Sequence, residues 1–132
     1  MKSDIPELKV EDIAIAIVPR ADGEELWDSY LVNLKGDRIN NVLINSRGYG
    51  EWEGDRVKTT ILRHFFEEIG SNSIIKIEPI QAKLFGLTNE YWVSFNFQGN
   101  VYDKKYVFVR GSIDPVNFTM IPYLDKKGVM IR

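Results

Sequence analysis

The sequence contains no cysteine and only one histidine. Without cysteine, the chain can form no disulfide bridge, no thiolate nucleophile and no zinc site built on thiolates. Any proton transfer that requires an imidazole must use His64, the single histidine. Because His64 stands directly before two phenylalanines, we expect it to be a half-buried structural residue rather than a proton shuttle.

Long apolar runs are also missing. The longest clearly apolar run, residues 13–18, is far shorter than the roughly 20 residues needed to span a bilayer. Residues 1–12 scatter charges among isolated apolar side chains, unlike the continuous apolar centre of a signal peptide. We therefore expect a cytoplasmic protein without membrane association.

The composition shows no strong charge of either sign. The 17 lysine and arginine residues and the 19 aspartate and glutamate residues give a net charge of -2. Nucleic-acid binding needs a concentrated positive field that displaces counterions, so this balance argues against nucleic acid as a partner. Hydrophobic residues make up 44% of the 132-residue chain, and no linker or repeat divides it. The composition therefore predicts a single domain over residues 1–132.

Short apolar runs separated by Gly, Asp and Asn indicate β-strands. The clearest alternation covers residues 91–97, and a turn at Gly99 and Asn100 leads into a second alternating run at 101–109. The other strand candidates are residues 13–18, closed by a turn at Asp22 and Gly23, and residues 27–34, 42–47, 74–80 and 129–131. This spacing predicts a mostly β protein, an antiparallel immunoglobulin-like β-sandwich of seven or eight strands.

Residues 57–69 carry two conflicting patterns. Apolar residues at positions 57, 61, 62, 65, 66 and 69 have helical spacing. Many residues of this segment are β-branched or aromatic, however, and such residues favour strands. We predict a strand, and the alternative is an α+β domain with one helix at 57–69.

Residues 55–71 resemble a Nudix box, a pattern that ends in Arg-Glu-apolar-x-Glu-Glu-x-Gly-apolar. Arg63, Phe65, Glu67, Glu68 and Gly70 match this ending as they stand. In Nudix hydrolases the stretch is a helix whose glutamates hold a divalent metal ion against a nucleoside diphosphate linkage. The resemblance implies, as an alternative function, hydrolysis of nucleoside diphosphate derivatives, with Mg²⁺ held by Glu67 and Glu68 and with Arg63 bracing them.

The same stretch departs from the Nudix pattern at two positions. His64 stands where the family has a metal-binding glutamate, and Ser71 replaces the closing apolar residue. Mg²⁺ prefers oxygen ligands to imidazole, so the first departure weakens the implied metal site. Our main prediction is therefore a protein with no catalytic residue, metal or cofactor. The Nudix-like hydrolase, with His64 among its site residues, is the alternative.

A glycine-rich segment, residues 48–55, contains two aromatic residues. Tyr49 and Trp52 could project from a loop as a stacking surface for a partner, or could fold back onto the core from a wide turn between strands. The first possibility makes Tyr49 and Trp52 the candidate partner-binding residues. The main functional hypothesis is accordingly a non-catalytic β-sandwich that binds an unidentified protein or self-associates.

The whole chain also resembles a family of short bacterial proteins of unknown function and similar length. The resemblance rests on IP at residues 5–6, IAIV at 15–18, WDSYLVN at 27–33, KTTILRH at 58–64, NEYWVSF at 89–95 and YDKKY at 102–106. Some members are labelled as a phenylalanyl-tRNA synthetase subunit, which implies, as a second alternative, an accessory domain associated with tRNA aminoacylation. The resemblance brings no catalytic residues with it.

Overall fold

A computed structural model describes residues 8–21 and 25–132, and β-strands dominate this part of the chain. The ten strands found there are β1 (Ile13–Pro19), β2 (Leu26–Asn33), β3 (Ile39–Trp52), β4 (Asp55–Lys58), β5 (Leu62–Ile69), β6 (Ser73–Gln81), β7 (Thr88–Phe97), β8 (Asn100–Phe108), β9 (Thr119–Ile121) and β10 (Lys126–Ile131). Two short 3₁₀ helices cover Ala82–Gly86 and Pro115–Asn117. The turn predicted at Asp22 and Gly23, and the first seven residues of segment 1–12, lie outside the described residues.

The strands form two antiparallel sheets. The first sheet has the order β6-β2-β1-β10-β9. In the second sheet β3 pairs with β7, which pairs with β8, while β4 and β5 pair with successive parts of the other edge of β3. The predicted mostly β, antiparallel sandwich is confirmed. The pattern missed the three-residue strand β9, because so short a segment shows no recognisable alternation.

Residues 57–69 contribute to two strands, β4 and β5, so the alternative with a helix at 57–69 is wrong. Phe66 lies opposite Val42 and faces the core, whereas Phe65 lies opposite Leu43 on the outer side of the sheet. Consecutive apolar residues that mimic a helical stripe are therefore divided between the two faces of a strand. The β-branched and aromatic composition was the better indicator.

The hydrophobic core lies between the two sheets. Ile13, Ile15 and Ile17 of β1 face inward and are almost fully buried, as are Val93 and Phe95 of β7. The outer face of β1 is buried as well, where its alanines pack in a second cluster with side chains of β2 and β9. Burial on both faces explains why β1 is a continuous apolar run.

A buried side-chain hydrogen bond links strand β8 of the second sheet to strand β1 of the first. The Tyr106 hydroxyl of β8 donates to the Ile13 carbonyl oxygen of β1 at 2.7 Å. The hairpin that brings β8 into place was predicted correctly, but its turn consists of Gln98 and Gly99 instead of Gly99 and Asn100. Both turn residues have positive φ, 49° and 78°, as a tight two-residue hairpin requires.

Candidate functional site

The residues of the Nudix resemblance lie on a strand. Glu67 and Glu68 are both exposed on β5, and Glu68 Oε1 lies 3.6 Å from Arg38 Nη1 in an exposed ion pair. Among residues 8–21 and 25–132, no group of three or more acidic or histidine side chains is placed to hold a metal ion. The two glutamates implied as metal ligands lie on a strand and not on the helix that a Nudix box forms.

The two aromatic residues of segment 48–55 belong to strand β3 and not to a loop. Tyr49 lies beneath the Arg47 guanidinium, 5.1 Å from its ring centre, and its hydroxyl donates to Glu90 Oε1 at 3.4 Å. Burial and the negative charge of Glu90 raise the pKa of Tyr49. Trp52 instead packs against Gly86, where an added Cβ would lie 3.0 Å from its ring. The two aromatics therefore have separate environments and form no common surface.

The outer side of the second sheet carries a cluster of exposed side chains that we call the Phe65–Trp92 face. Its members are Leu43, Asn45, Arg63, Phe65, Trp92 and Lys105. Phe65 lies directly opposite Leu43, and Trp92 is the diagonal neighbour of Leu43 on the next strand. Such neighbours are within reach of each other's side chains. Phe65 is 57% exposed and Trp92 is 42% exposed, so the apolar surface faces solvent.

One cross-strand row of side chains on the Phe65–Trp92 face has a cation at each end. Asn45 lies between Arg63 and Trp92, and Lys105 lies beyond Trp92, with its Nζ 4.6 Å from the centre of the Trp92 ring. Within the described parts of the chain, neither Arg63 nor Lys105 forms an ion pair. The side-chain oxygen of Asn45 is buried without a hydrogen-bond partner. The face thus combines exposed aromatic surface with two cations that form no ion pair in the described chain.

A second polar group of residues lies inside the sandwich, around Glu78 of β6. The Ser46 hydroxyl donates to the Glu78 carboxylate, with Oγ 2.9 Å from both oxygens. The Tyr91 hydroxyl donates to Oε2 at 3.3 Å, and His64 Nε2 lies 2.7 Å from Oε1. Four strands, β3, β5, β6 and β7, therefore meet at one carboxylate whose side chain is 9% exposed.

A β-bulge aims Glu78 at this position. Lys76 pairs with Tyr30 and Glu78 pairs with the adjacent Ser29, so Ile77 is the extra residue. Bulges invert the alternation of a strand and frequently re-aim a side chain. Without this bulge, Glu78 would follow Lys76 onto the outer side of the first sheet. The Ser29 hydroxyl supports the arrangement by donating to the Glu78 backbone carbonyl at 3.2 Å.

The Glu78 cluster lines a cleft of about 430 Å³ between the edges of the two sheets. Its lining combines apolar side chains from three strands and a 3₁₀ helix, Leu26, Leu62, Ile80 and Leu84, with the hydroxyl-bearing residues Ser46, Thr59 and Thr60. Burial, and secondarily the charge of Glu78, raises the pKa of Tyr91 far above its ordinary value. Tyr91 therefore remains a protonated donor to Glu78 over the whole ordinary pH range.

The expectation of a half-buried His64 agrees with its position, since 27% of the side chain is exposed. Its partner Glu78 was missed because strict alternation along residues 74–80 does not anticipate the bulge at Ile77. Trp92 was also missed as a site residue, although its position between the inward-facing Tyr91 and Val93 already placed it on the opposite face.

Comparison with known proteins adds no relative. A scan against protein-family models finds no matching family, and a search of curated proteins finds no significant match. The resemblance to short bacterial proteins stays a prediction. Over the described residues, no helix is long and apolar enough to cross a membrane.

Proposed function

We propose that the protein is a non-catalytic, immunoglobulin-like β-sandwich of the bacterial cytoplasm that binds a protein partner on the Phe65–Trp92 face. The observation that carries the proposal is the exposure of Phe65 and Trp92 beside two cations that lack carboxylate partners. Exposed apolar patches rimmed by polar residues mark interaction sites, and aromatic and arginine side chains contribute most to binding energy at protein interfaces.

The chemistry of the face defines the partner. Apolar side chains of a partner would cover Phe65 and Trp92, and carboxylates would pair with Arg63 and Lys105. Asp103 lies on the same side of the sheet, opposite Ser94 in the neighbouring row. Glu67, two residues beyond Phe65, is also exposed. A nucleic-acid backbone is anionic at every phosphate and would meet these carboxylates as well as the cations, whereas an apolar protein segment can place a few carboxylates opposite Arg63 and Lys105 alone.

The test compares two variants of the full chain. The first, Phe65→Ser with Trp92→Ser, removes the aromatic surface. The second, Val116→Ser, is the control, because Val116 is the most exposed large apolar residue of the described chain and lies outside the face. Affinity capture from the native cell identifies candidate partners, and isothermal titration calorimetry with each purified candidate measures the affinity. The proposal predicts a loss of roughly 30-fold or more for the first variant and no change for the control, because interface hot spots contribute about 2 kcal/mol or more.

Three results would count against the proposal. A purified partner that binds the double variant as tightly as the wild type would place the interface elsewhere. Single-stranded RNA binding that the double substitution abolishes would replace the protein partner by a nucleic acid. Dimerisation of the wild type in sedimentation experiments, abolished by the same substitutions, would make the partner a second copy of this chain.

A further inference from the structure

Three buried carboxylates occur among the described residues, and Glu78 differs from the other two. Asp28 lies 3.0 Å from Arg20 and 3.5 Å from Lys76, and Glu90 lies 3.1 Å from Arg47. Glu78 has no lysine or arginine partner in the described parts of the chain. Its contacts are two neutral hydroxyl groups and the His64 imidazole, which is charged only when protonated.

This difference leaves Glu78 without a lysine or arginine counter-charge in the described parts of the chain. Hydrogen bonds from Ser46 and Tyr91 reduce the cost of burying the Glu78 carboxylate, but they do not neutralise it. A buried charge without a counter-charge is strongly unfavourable, which is why Asp28 and Glu90 each have an arginine. The Glu78 site therefore favours the entry of a cation.

The space for such a cation is present. Glu78 lies in the wall of the 430 Å³ cleft, which falls within the range of volumes that small-molecule sites occupy. Leu26, Ile80 and Leu84 offer an apolar surface, and Thr60 lies at its exposed border. Arg47 also borders the cleft, but its guanidinium is paired with Glu90.

We propose that this cleft binds a small organic cation, an amine or amidine carried on an apolar body, with its charge paired to the Glu78 carboxylate. The apolar body lies against Leu26, Ile80 and Leu84, and the cationic group reaches the carboxylate. The bulge at Ile77 is then the feature of the fold that builds the site, because it turns Glu78 inward. This binding site is separate from the Phe65–Trp92 face and does not depend on it.

The test uses benzylamine and benzamidine as cationic probes, with benzyl alcohol and benzoate as neutral and anionic controls of similar shape. Binding to the full chain is measured by isothermal titration calorimetry and by NMR chemical shifts of the cleft residues. The two cations should bind at pH 8 with affinities at least tenfold above those of the two controls. Glu78→Gln, which preserves the shape of the side chain, should weaken cation binding roughly 10- to 100-fold. This factor corresponds to the usual free-energy contribution of a hydrogen bond to a charged group.

A second blocking variant and a control variant accompany Glu78→Gln. Thr60→Trp alters an exposed residue at the border of the cleft and should block the probes without touching the carboxylate. Glu68→Gln removes an exposed carboxylate outside the cleft and should leave binding unchanged. The proposal is overturned if neither cation binds at millimolar concentration, if benzyl alcohol binds as well as benzylamine, or if Thr60→Trp and Glu78→Gln leave binding intact.

Discussion

The Nε2 atom of His64 lies 2.7 Å from Oε1 of Glu78, and this contact joins strands β5 and β6 of opposite sheets across the interior. Neither strand's own sequence indicates this contact. Together with Ser46 and Tyr91, His64 completes the set of polar side chains that contact a carboxylate without a lysine or arginine partner in the described chain.

The first prediction compares one substitution at two buried carboxylates. Glu78→Gln should raise the free energy of unfolding by about 1 kcal/mol, because it removes a buried carboxylate that has no lysine or arginine partner in the described chain and keeps one acceptor oxygen. Glu90→Gln should lower it by about 1 kcal/mol, because it leaves Arg47, itself partly exposed, without its carboxylate. Urea unfolding measures the change in the free energy of unfolding for each variant. A loss of stability in both variants would show that the Glu78 carboxylate is stabilising in its present environment.

The second prediction concerns alkaline pH. Burial raises the pKa of Tyr106, and burial together with the charge of Glu78 raises that of Tyr91, above the ordinary value of 10.0. The unfolded chain therefore loses these two protons at a lower pH than the folded chain. The stability they contribute is fully present below pH 10 and falls as the pH rises further, by up to about 1.4 kcal/mol per pH unit for each tyrosine.

Ultraviolet difference absorption and urea unfolding at increasing pH check this behaviour. Tyr91 and Tyr106 should ionise only as the protein unfolds, and Tyr106→Phe should reduce the slope of stability against pH. Tyr106→Phe should also cost about 1 kcal/mol at neutral pH, because the hydroxyl no longer donates to the Ile13 carbonyl. Reversible ionisation of all tyrosines in the folded protein would contradict the burial of these two hydroxyl groups.

The third prediction concerns the close approach of β10 to β1. A Cβ atom on Gly128 would lie 2.5 Å from the carbonyl oxygen of Ile17 and 2.8 Å from a methyl group of Val18. The backbone oxygen cannot turn away, so Gly128→Ala must displace β10 from its partner. We expect a loss of about 2 to 3 kcal/mol in the free energy of unfolding. Gly36→Ala is the matched control, because its Cβ would meet no atom within 4 Å, and equal effects of both substitutions would refute the steric explanation.

The fourth prediction separates surface from core aromatic residues. Phe65→Ser and Trp92→Ser should each change the free energy of unfolding by less than about 1 kcal/mol, because both side chains are largely exposed. Phe95→Ala should cost roughly 3 to 5 kcal/mol, because Phe95 is fully buried in the core. Thermal unfolding of the three variants supplies the comparison. If Trp92→Ser were as damaging as Phe95→Ala, the exposed face would have a structural role.

Local sequence patterns were sufficient to predict most of the strands. Alternation predicted the β7–β8 hairpin, and the apolar run at residues 13–18 predicted β1. The turn was displaced by one residue because Gln98 adopts positive φ, which its residue type does not advertise. Segment 48–55 was treated as a loop because of its glycines, but a tight turn at Glu53 and Gly54 lets β3 continue to Trp52.

The candidate sites were harder to predict because they depend on contacts between distant strands. Glu78 meets Ser46 and His64 only after β6 and β5 have taken their places in different sheets, and the bulge at Ile77 reverses the expected direction of Glu78. The Phe65–Trp92 face needs the register between β5, β3 and β7, which no single segment encodes. Tyr49 and Trp52 were candidates because they stand in a glycine-rich segment that predicts a loop, and the structure places both on strand β3, in separate environments.

The most direct test of partner binding is chemical-shift mapping of the isotope-labelled protein with its purified partner. The account predicts that the largest shifts occur at Leu43, Phe65, Trp92 and Lys105, with little change in the first sheet. Largest shifts on β9 and β10, with an unchanged indole resonance of Trp92, would contradict it.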